Sequence, residues 1–153
     1  MKALELKIPP PVVALLVAGG MWGIARLAPL IDLPQSLRVG AAIACGLAGV
    51  GLDIAALVSF QRARTTFNPM KVEKTSALVR SGVYRLTRNP MYLGSVLMLV
   101  AWAVYLSSAW ALLGIVAFVL YLNRFQIAPE ERALASKFGV SYAAYRSRVR
   151  RWL

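Results

Sequence analysis

Four long apolar runs constrain the fold of this chain more than any other feature of its sequence. They cover about residues 11–30, 39–60, 90–106 and 109–125. An α-helix rises about 1.5 Å per residue, so about 20 apolar residues are enough to cross a hydrocarbon core of about 30 Å. The last two runs, of about 17 residues each, lie at the short end of the spanning range. The sequence therefore predicts an all-α fold, a polytopic membrane helical bundle with about four transmembrane helices.

Composition supports a single membrane domain over residues 1–153. Hydrophobic residues make up 59% of the chain, whereas a soluble globular domain contains roughly 45 to 50%. The mean hydropathy of the chain is +0.62. The apolar runs also lie too close together to leave room for a separate soluble domain, so we expect one bundle.

The distribution of charge predicts how the bundle lies in the membrane. The chain has 18 basic and 6 acidic side chains and a net charge of +12. If the four runs span, only Arg26 and Arg38 lie near the two loops on one side; the other sixteen basic residues (18 − 2) lie at the N-terminus, in the central loop of residues 61–89 or in the C-terminal tail. The positive-inside rule then predicts both termini and the central loop in the cytoplasm, at an inner or plasma membrane if the protein is bacterial. Topology and anionic lipids thus explain the charge without a nucleic-acid partner.

Residue types that are absent or rare narrow the possible chemistry. The chain has no histidine and one cysteine, Cys45, which lies in the second apolar run. This excludes Ser-His-Asp catalysis, histidine-ligated zinc, an imidazole base, an intrachain disulfide and a cysteine-rich metal site. Any catalysis must use carboxylates, arginines, tyrosines or a cofactor, and we predict no metal site.

A basic passage just before the third run is the first candidate for a site. Arg80, Arg85 and Arg88 lie within nine residues, and Pro90 suits the first turn of the helix that follows. Apolar residues interrupt the charges, which favours a folded loop, and Gly82 offers a place where backbone can approach a ligand closely. The alternative is a solvated loop that only faces anionic lipid.

Three acidic residues are candidates for binding or proton transfer. Glu130 and Glu131 follow Pro129 in the first turn of a predicted C-terminal helix, residues 129–151, where acids interact favourably with the helix dipole. They lie level with the basic loop, and in that neighbourhood we expect both to remain ionised. Asp53 lies seven positions before Phe60, roughly 10 Å inside the second run by helix rise. An acid inside a membrane segment is a functional hypothesis; the alternative is an aspartate that is hydrogen-bonded or neutral within the bundle.

The predicted C-terminal helix has an amphipathic stripe. Apolar and aromatic residues recur every three or four positions, and basic residues occupy much of the remaining surface. The pattern favours a helix that lies on the membrane or over the mouth of the bundle, with a bend at Gly139. The stripe consists of Leu134, Phe138, Tyr142, Tyr145, Val149 and Trp152.

Three segments resemble, in order, the motifs of one family of integral-membrane methyltransferases. Residues 88–94, Arg-Asn-Pro-Met-Tyr-Leu-Gly, are similar to a signature of arginine, histidine, proline, any residue, tyrosine, any residue and glycine, with Asn89 where most members have histidine. Glu130 and Glu131 are similar to the acidic pair of the family. Its C-terminal pattern is matched by Phe138, Gly139, Tyr142, Tyr145 and Val149. The family is typified by isoprenylcysteine carboxyl methyltransferase and phosphatidylethanolamine N-methyltransferase, and the resemblance covers roughly residues 65–152.

This resemblance implies a cofactor, a reaction and a set of site residues. It implies S-adenosylmethionine bound at the cytoplasmic face, and methyl transfer to a lipophilic acceptor, a carboxylate or an amine, that enters from the bilayer. Arg124 is the candidate for holding the polar group of the acceptor, and Glu131 or Asp53 is the candidate base that an amine acceptor would need. The candidate cofactor-binding residues are Arg88, Asn89, Pro90, Tyr92, Gly94, Glu130 and Glu131, with Val79, Gly82 and Tyr84 of the central loop.

Two other functions fit the same residues. Sterol-reductase families end in a similar segment rich in arginine, with proline, tyrosine and glycine, and use NADPH, although they look longer and have more preceding helices. A non-enzymatic scaffold or small-ligand carrier is the other alternative, favoured by Asn89 in the histidine position. NADPH binding would favour the reductase, and cofactor affinity without turnover would favour the carrier.

Overall fold

The chain folds into four long helical segments, seen in a computed structural model that describes residues 5–27, 31–65 and 77–153. Within these ranges there is no strand, so the all-α prediction is confirmed. A short 3-10 helix, Gly82–Arg85, precedes the third segment, and a 3-10 turn, Ala109–Ala111, opens the fourth. The longer elements are α1, Pro10–Leu27; α2, Gln35–Arg62; α3, Pro90–Leu106; α4, Leu112–Tyr121; a π-helical turn, Leu122–Ile127; and α5, Ala128–Arg148.

Three of the helical segments are long and apolar enough to cross a membrane. They are Pro10–Leu27, Gln35–Arg62 and the continuous segment Ala109–Arg148, while α3 is apolar but has 17 residues. The predicted polytopic membrane bundle is therefore confirmed, and the predicted bounds of the third run coincide with those of α3. Residues 28–30 of the first run, and Lys71 and Lys74 of the central loop, lie outside the described residues.

The fourth run and the C-terminal helix form one continuous segment, where two separate elements had been predicted. Proline has no N–H, so Pro129 leaves the carbonyl of Phe125 without its usual helical partner. The helix widens into the π turn at this point, and the backbone N–H of Leu6 donates to the Phe125 carbonyl at 3.1 Å. The N-terminal segment thus satisfies the carbonyl that Pro129 frees, and the helix continues past Pro129 to a kink at Gly139, beyond which a second helical stretch reaches Arg148.

Small residues let α2 and α3 cross closely. A Cβ atom added to Gly49 would lie 2.8 Å from the carbonyl oxygen of Gly94, and one added to Gly46 would lie 4.0 Å from the Cβ of Ala101. Within a lipid bilayer, close backbone approach of this kind is a main source of helix association, because the lipid is as apolar as the side chains. The crossing therefore fixes α2 against the start of α3.

Large apolar side chains fill the other side of α3, where it packs against α1 and α4. This core extends down to the π turn, and it includes Met21, Tyr92, Leu99, Phe118, Leu122 and Ile127. The loops at one end meet where the N–H of Ile31 donates to the carbonyl of Ser107 at 2.7 Å. At the opposite end the N-terminal segment, the loop before α3 and the start of α5 come together, and the motif residues lie there.

Candidate functional site

A hydrogen bond between Tyr92 and Glu130 joins the two motif segments. Pro90 begins α3, so Tyr92 lies in the first turn of that helix, and Glu130 lies in the first turn of α5. The tyrosine hydroxyl donates to Glu130 Oε1 at 2.5 Å, and its ring is buried in the core. The structure thus brings together two residues that the sequence analysis predicted to bind a cofactor.

Glu130 does not have the ionisation that the sequence analysis expected. It lies past Arg124 and Pro129, beyond the apolar part of the fourth segment. Burial raises its pKa to about 7; the hydrogen bond from Tyr92 lowers the pKa, and the charge of Glu131 raises it. Both protonation states are therefore populated near neutral pH, so the prediction that this acid stays ionised is wrong. The prediction counted basic neighbours along the chain and did not foresee the burial.

Glu131 is held by two guanidinium groups. Its Oε1 lies 3.1 Å from Arg88 Nη2 and accepts a hydrogen bond from Arg151 Nε at 3.1 Å, and its Oε2 accepts from Arg151 Nη2 at 2.6 Å. Such charge-assisted, forked contacts are among the strong hydrogen bonds of proteins. The two neighbouring acids therefore have different surroundings, since Glu131 is paired with cations and Glu130 with a hydroxyl.

Arg88 retains donor capacity that the fold does not use. The side chain is only 10% exposed, and its Nη1 donates to the hydroxyl of Tyr142 at 3.4 Å. Its Nε is buried and has no hydrogen-bond partner among the residues described. A buried N–H without a partner is costly, so this group is suited to an anionic or carbonyl ligand.

The last five residues, 149–153, form a C-terminal strap over the start of α3. The carbonyl of Arg150 accepts from the N–H of Arg88 at 3.0 Å. The carbonyl of Arg151 accepts from Thr87 Oγ1 at 3.1 Å and from Asn89 Nδ2 at 2.8 Å. Trp152 Nε1 donates to Asn123 Oδ1 on the π turn at 3.2 Å. The strap therefore ties the loop before α3 to the fourth segment.

Sequence reasoning missed the residues whose side chains hold the strap, which are Asn89, Arg151, Thr87 and Asn123. Asn89 was assigned to the cofactor, but its side-chain amide binds the strap. The other three were not singled out, because their tertiary contacts join parts of the chain 20 to 64 residues apart. The one available signal was the amphipathic stripe, which runs through Tyr145 to Trp152 and indicates that the tail packs against the bundle.

The loop before α3 packs against α2. Val79 and Tyr84 are buried with Ala56 in a small apolar cluster, and the hydroxyl of Tyr145 donates to the carbonyl of Tyr84 at 2.7 Å. Gly82 has φ +59, and a Cβ atom there would lie 2.6 Å from Ser59 Oγ. Glycine at this position is therefore explained by its backbone conformation and the close approach of α2, a role that the sequence analysis had instead given to ligand approach.

The three arginines of the basic passage before α3 have different surroundings. Arg80 and Arg85 are exposed, and only Arg88 reaches the acidic pair. Arg124, the candidate for the acceptor, is 48% exposed and lies 3.5 Å from Glu5, which also pairs with Arg132. This N-terminal ion pair is a contact that the sequence analysis did not predict.

An open groove of about 330 Å³ runs along α5 next to Arg88. Gly139 lines this groove, and the helix bends there with φ 48 and ψ −121, as the sequence analysis predicted. Tyr142 lines the groove and accepts the hydrogen bond from Arg88. The other lining residues are Ala135, Ala143, Arg146 and Ser147. Among the described residues, no group of acidic, histidine or cysteine side chains could hold a metal ion.

Comparisons with known proteins show a family to which the chain is similar. The sequence model of a family described as "Phospholipid methyltransferase" matches residues 37–141, which include α2, α3 and the acidic pair. A Haemophilus influenzae protein, named only "Uncharacterized protein", is 51% identical over 63 residues, which are 41% of this chain and 100% of that protein. No solved structure matches the chain.

Proposed function

The chain belongs to the phospholipid methyltransferase family, and on that basis we propose that it transfers a methyl group from S-adenosylmethionine to a lipophilic acceptor in the membrane. The observation that supports this most is the contact of Tyr92 with Glu130. It unites the start of α3 with the acidic pair, the two segments that the resemblance assigns to the cofactor.

The residues at this end of the bundle fit an amino-acid cofactor. S-adenosylmethionine supplies an electrophilic methyl group on sulfonium sulfur, and its other end bears an ammonium and a carboxylate. Ionised Glu130 suits the ammonium, and the unpartnered Nε of Arg88 suits the carboxylate. Glu131 then acts indirectly, because it holds Arg88 in place from the other side. Of the remaining candidates, Pro90, Tyr92, Gly94, Val79 and Tyr84 would shape the walls.

The chain contributes to such a reaction mainly by positioning the reactants and by excluding water from them. Holding two reactants in line replaces a bimolecular encounter by an effectively unimolecular step, and Tyr84, Tyr92 and Tyr145 exclude water from the end of α3. For a carboxylate acceptor, Arg124 keeps its proposed role with the polar group, for which it must exchange Glu5 for that group. A carboxylate acceptor needs no base, whereas a protonated amine must first lose a proton.

We place the site on the cytoplasmic side. The exposed Arg80, Arg85, Arg146, Arg148 and Arg150 lie at its end of the bundle, and basic residues are concentrated on cytoplasmic loops of membrane proteins. The cofactor would therefore enter from the cytoplasm and the acceptor from the lipid.

A transfer assay tests the proposal. Protein in nanodiscs is incubated with methyl-labelled S-adenosylmethionine and a total membrane lipid extract, and lipids are analysed by mass spectrometry. We expect one lipid class to acquire the label, and we expect no label with Glu130→Gln. The matched control is Asp32→Asn, because Asp32 is an exposed acid in the loop at the opposite end. No labelled lipid with the wild type would contradict the proposal.

A further inference from the structure

An acid inside the second membrane segment has one carboxylate oxygen without a hydrogen bond to the part of the chain that the structure describes. Asp53 lies in the middle part of α2, on the side that faces α3. Its Oδ1 is buried and makes no hydrogen bond to any described residue. The ion pairs found within the described ranges involve Glu5 and Glu131 and do not include Asp53. A buried carboxylate oxygen without a partner is costly, and a cationic ligand would offset that cost.

The helix crossing keeps a space for this carboxyl group. A Cβ atom added to Gly94 would collide with Asp53 Oδ1 and would lie 3.0 Å from its Cγ. Gly94 belongs to the same motif as Arg88 and Tyr92, which form the candidate site. The absence of a side chain at Gly94 therefore places the carboxyl of Asp53 against the first turns of α3, on the membrane side of that site.

Tyr84 connects this carboxyl group with the polar end of the bundle. Its ring lies in the loop above α3, packed on Ala56 of α2. Burial raises the pKa of Tyr84, and the nearby charges of Tyr145, Glu130 and Asp53 raise it further. Asp53 and Glu130 thus both lie within electrostatic range of one hydroxyl group, and Asp53 is the deeper of the two.

The other two acidic residues of the site, Glu131 and Glu130, already interact with other groups. Both oxygens of Glu131 already accept from guanidinium groups. Glu130 accepts from Tyr92 and is assigned to the ammonium of the cofactor. Asp53 is therefore the carboxylate left to interact with a nucleophile.

We propose that Asp53 binds the nitrogen of a lipophilic amine without a phosphate group and accepts its proton. This rests on the methyl transfer proposed above. A cation that approaches the carboxyl favours its ionised form. One N–H bond of the ammonium then breaks, its electron pair stays on nitrogen, and the proton bonds to a carboxylate oxygen. The nitrogen is left with the lone pair that a methyl acceptor needs.

The depth of Asp53 selects against a phospholipid headgroup. By helix rise Asp53 lies roughly 10 Å inside the apolar segment that ends near Phe60. A headgroup amine could reach it only if its phosphate entered the hydrocarbon, where an unpaired charge is costly. An amine attached directly to an alkyl or terpenoid body has no such penalty.

Binding to nanodiscs tests the proposal without any turnover. The probes are dodecylamine, its N,N,N-trimethyl analogue, which cannot accept a further methyl group, and dodecanoate as the anionic control. We expect Asp53→Asn to weaken binding of both cations at least tenfold and to leave binding of dodecanoate unchanged, with Asp32→Asn as the matched control. Equal cation binding by the wild type and Asp53→Asn would overturn the proposal. Binding of phosphatidylethanolamine that depends on Asp53, with none of dodecylamine, would overturn the exclusion of phosphate.

Two further measurements keep the outcomes distinct. If the carboxylate of Asp53 binds a ligand, it is unpaired in the ligand-free protein. Asp53→Asn should therefore raise the unfolding temperature of the ligand-free protein. A decrease would assign Asp53 a structural role and overturn the proposal.

Titration with S-adenosylmethionine separates the amine site from the proposed methyl transfer. If the cofactor binds but cation binding does not depend on Asp53, only the proposed amine site is wrong. If cation binding depends on Asp53 but the cofactor does not bind, the proposed methyl transfer is wrong.

Discussion

Two adjacent acids share the candidate site and differ in their partners. Glu131 accepts from Arg88 and Arg151, while Glu130 accepts from the hydroxyl of Tyr92. Both acids, Arg88 and Tyr92 were candidates from sequence because they stand in motifs. Their partners could not be predicted, since Arg151 and Glu131 are 20 residues apart and only the fold shows which of many arginines turns inward.

The raised pKa of Glu130 predicts that the cofactor binds more tightly as the pH rises. Burial favours the protonated carboxyl below a pKa of about 7, and an ammonium ligand needs the ionised form. Affinity for S-adenosylmethionine should therefore increase roughly tenfold between about pH 6 and about pH 8. Calorimetric titrations across that range would measure it, and Glu130→Gln should bind weakly with no such dependence. An affinity that falls with rising pH would contradict the role of this carboxyl.

The raised pKa of Glu130 also predicts that the ligand-free Glu130→Gln variant is more stable than the wild type. A carboxyl whose pKa is raised by folding costs stability as the pH rises above its ordinary value, and the full cost is reached above the folded pKa of about 7. Glu130→Gln should therefore unfold at a higher temperature than the wild type at about pH 8, and the difference should shrink toward about pH 5. Thermal unfolding in detergent at the two pH values checks this, and a larger gain at the lower pH would refute it.

At the scale of whole elements, the site depends on a helix crossing and a C-terminal strap. The apolar runs predicted α1 to α3 well, because length and hydrophobicity decide membrane segments. They did not predict that Pro129 would lie within a continuous helix, because the compensating donor, the N–H of Leu6, comes from the other end of the chain. Nor did they predict the strap, whose backbone carbonyls have no signature in sequence.

The helix crossing predicts opposite effects for two glycines. Gly94→Ala places a Cβ atom 2.9 Å from the carbonyl oxygen of Gly49, and overpacking of this kind costs about 1–3 kcal/mol. Gly40→Ala is the matched control, since nothing lies within 4 Å of its added Cβ atom; alanine there should stabilise the helix by up to about 1 kcal/mol. Unfolding measured in detergent should show a loss for the first variant and no loss for the second. A neutral Gly94→Ala would show that α2 and α3 do not cross closely.

The contacts of the strap predict that alanine substitutions at two neighbouring arginines reduce stability to different extents. Arg151→Ala removes the forked contact with Glu131, whereas the side chain of Arg150 is exposed and only its backbone carbonyl binds. Because Arg151 is partly exposed and screened, we expect a loss of about 1–2 kcal/mol for Arg151→Ala and less than about 0.5 kcal/mol for Arg150→Ala. Equal losses for the two variants in thermal unfolding would mean that the strap is not held by Glu131.

At the scale of the whole molecule, the protein is a membrane bundle with its polar site at one end. The N-terminal segment, the loop before α3 and the strap meet there through the contacts of Phe125 and Arg88. Hydrophobicity and charge were enough to predict this architecture, because both are sums over many residues. The detailed pairing at the site was not predictable in the same way, because it depends on single contacts.

The predicted orientation can be tested by labelling. Cys45 is the one cysteine of the chain, so Cys45→Ser provides a background for single cysteines at Leu153 and at Ser36. A membrane-impermeant maleimide applied to intact cells should label Ser36→Cys, and it should label Leu153→Cys only after permeabilisation. The reverse pattern would place the site outside the cytoplasm and would contradict the positive-inside assignment.

Calorimetric titration of the detergent-purified protein with S-adenosylmethionine and its demethylated product tests the central claim most directly. NADPH serves as the control ligand, and Glu130→Gln and Asp32→Asn as the paired variants. We predict that the wild type and Asp32→Asn bind both methylation ligands and do not bind NADPH, and that Glu130→Gln loses most of this affinity. Binding of NADPH alone, or equal cofactor affinity in Glu130→Gln and the wild type, would contradict the account.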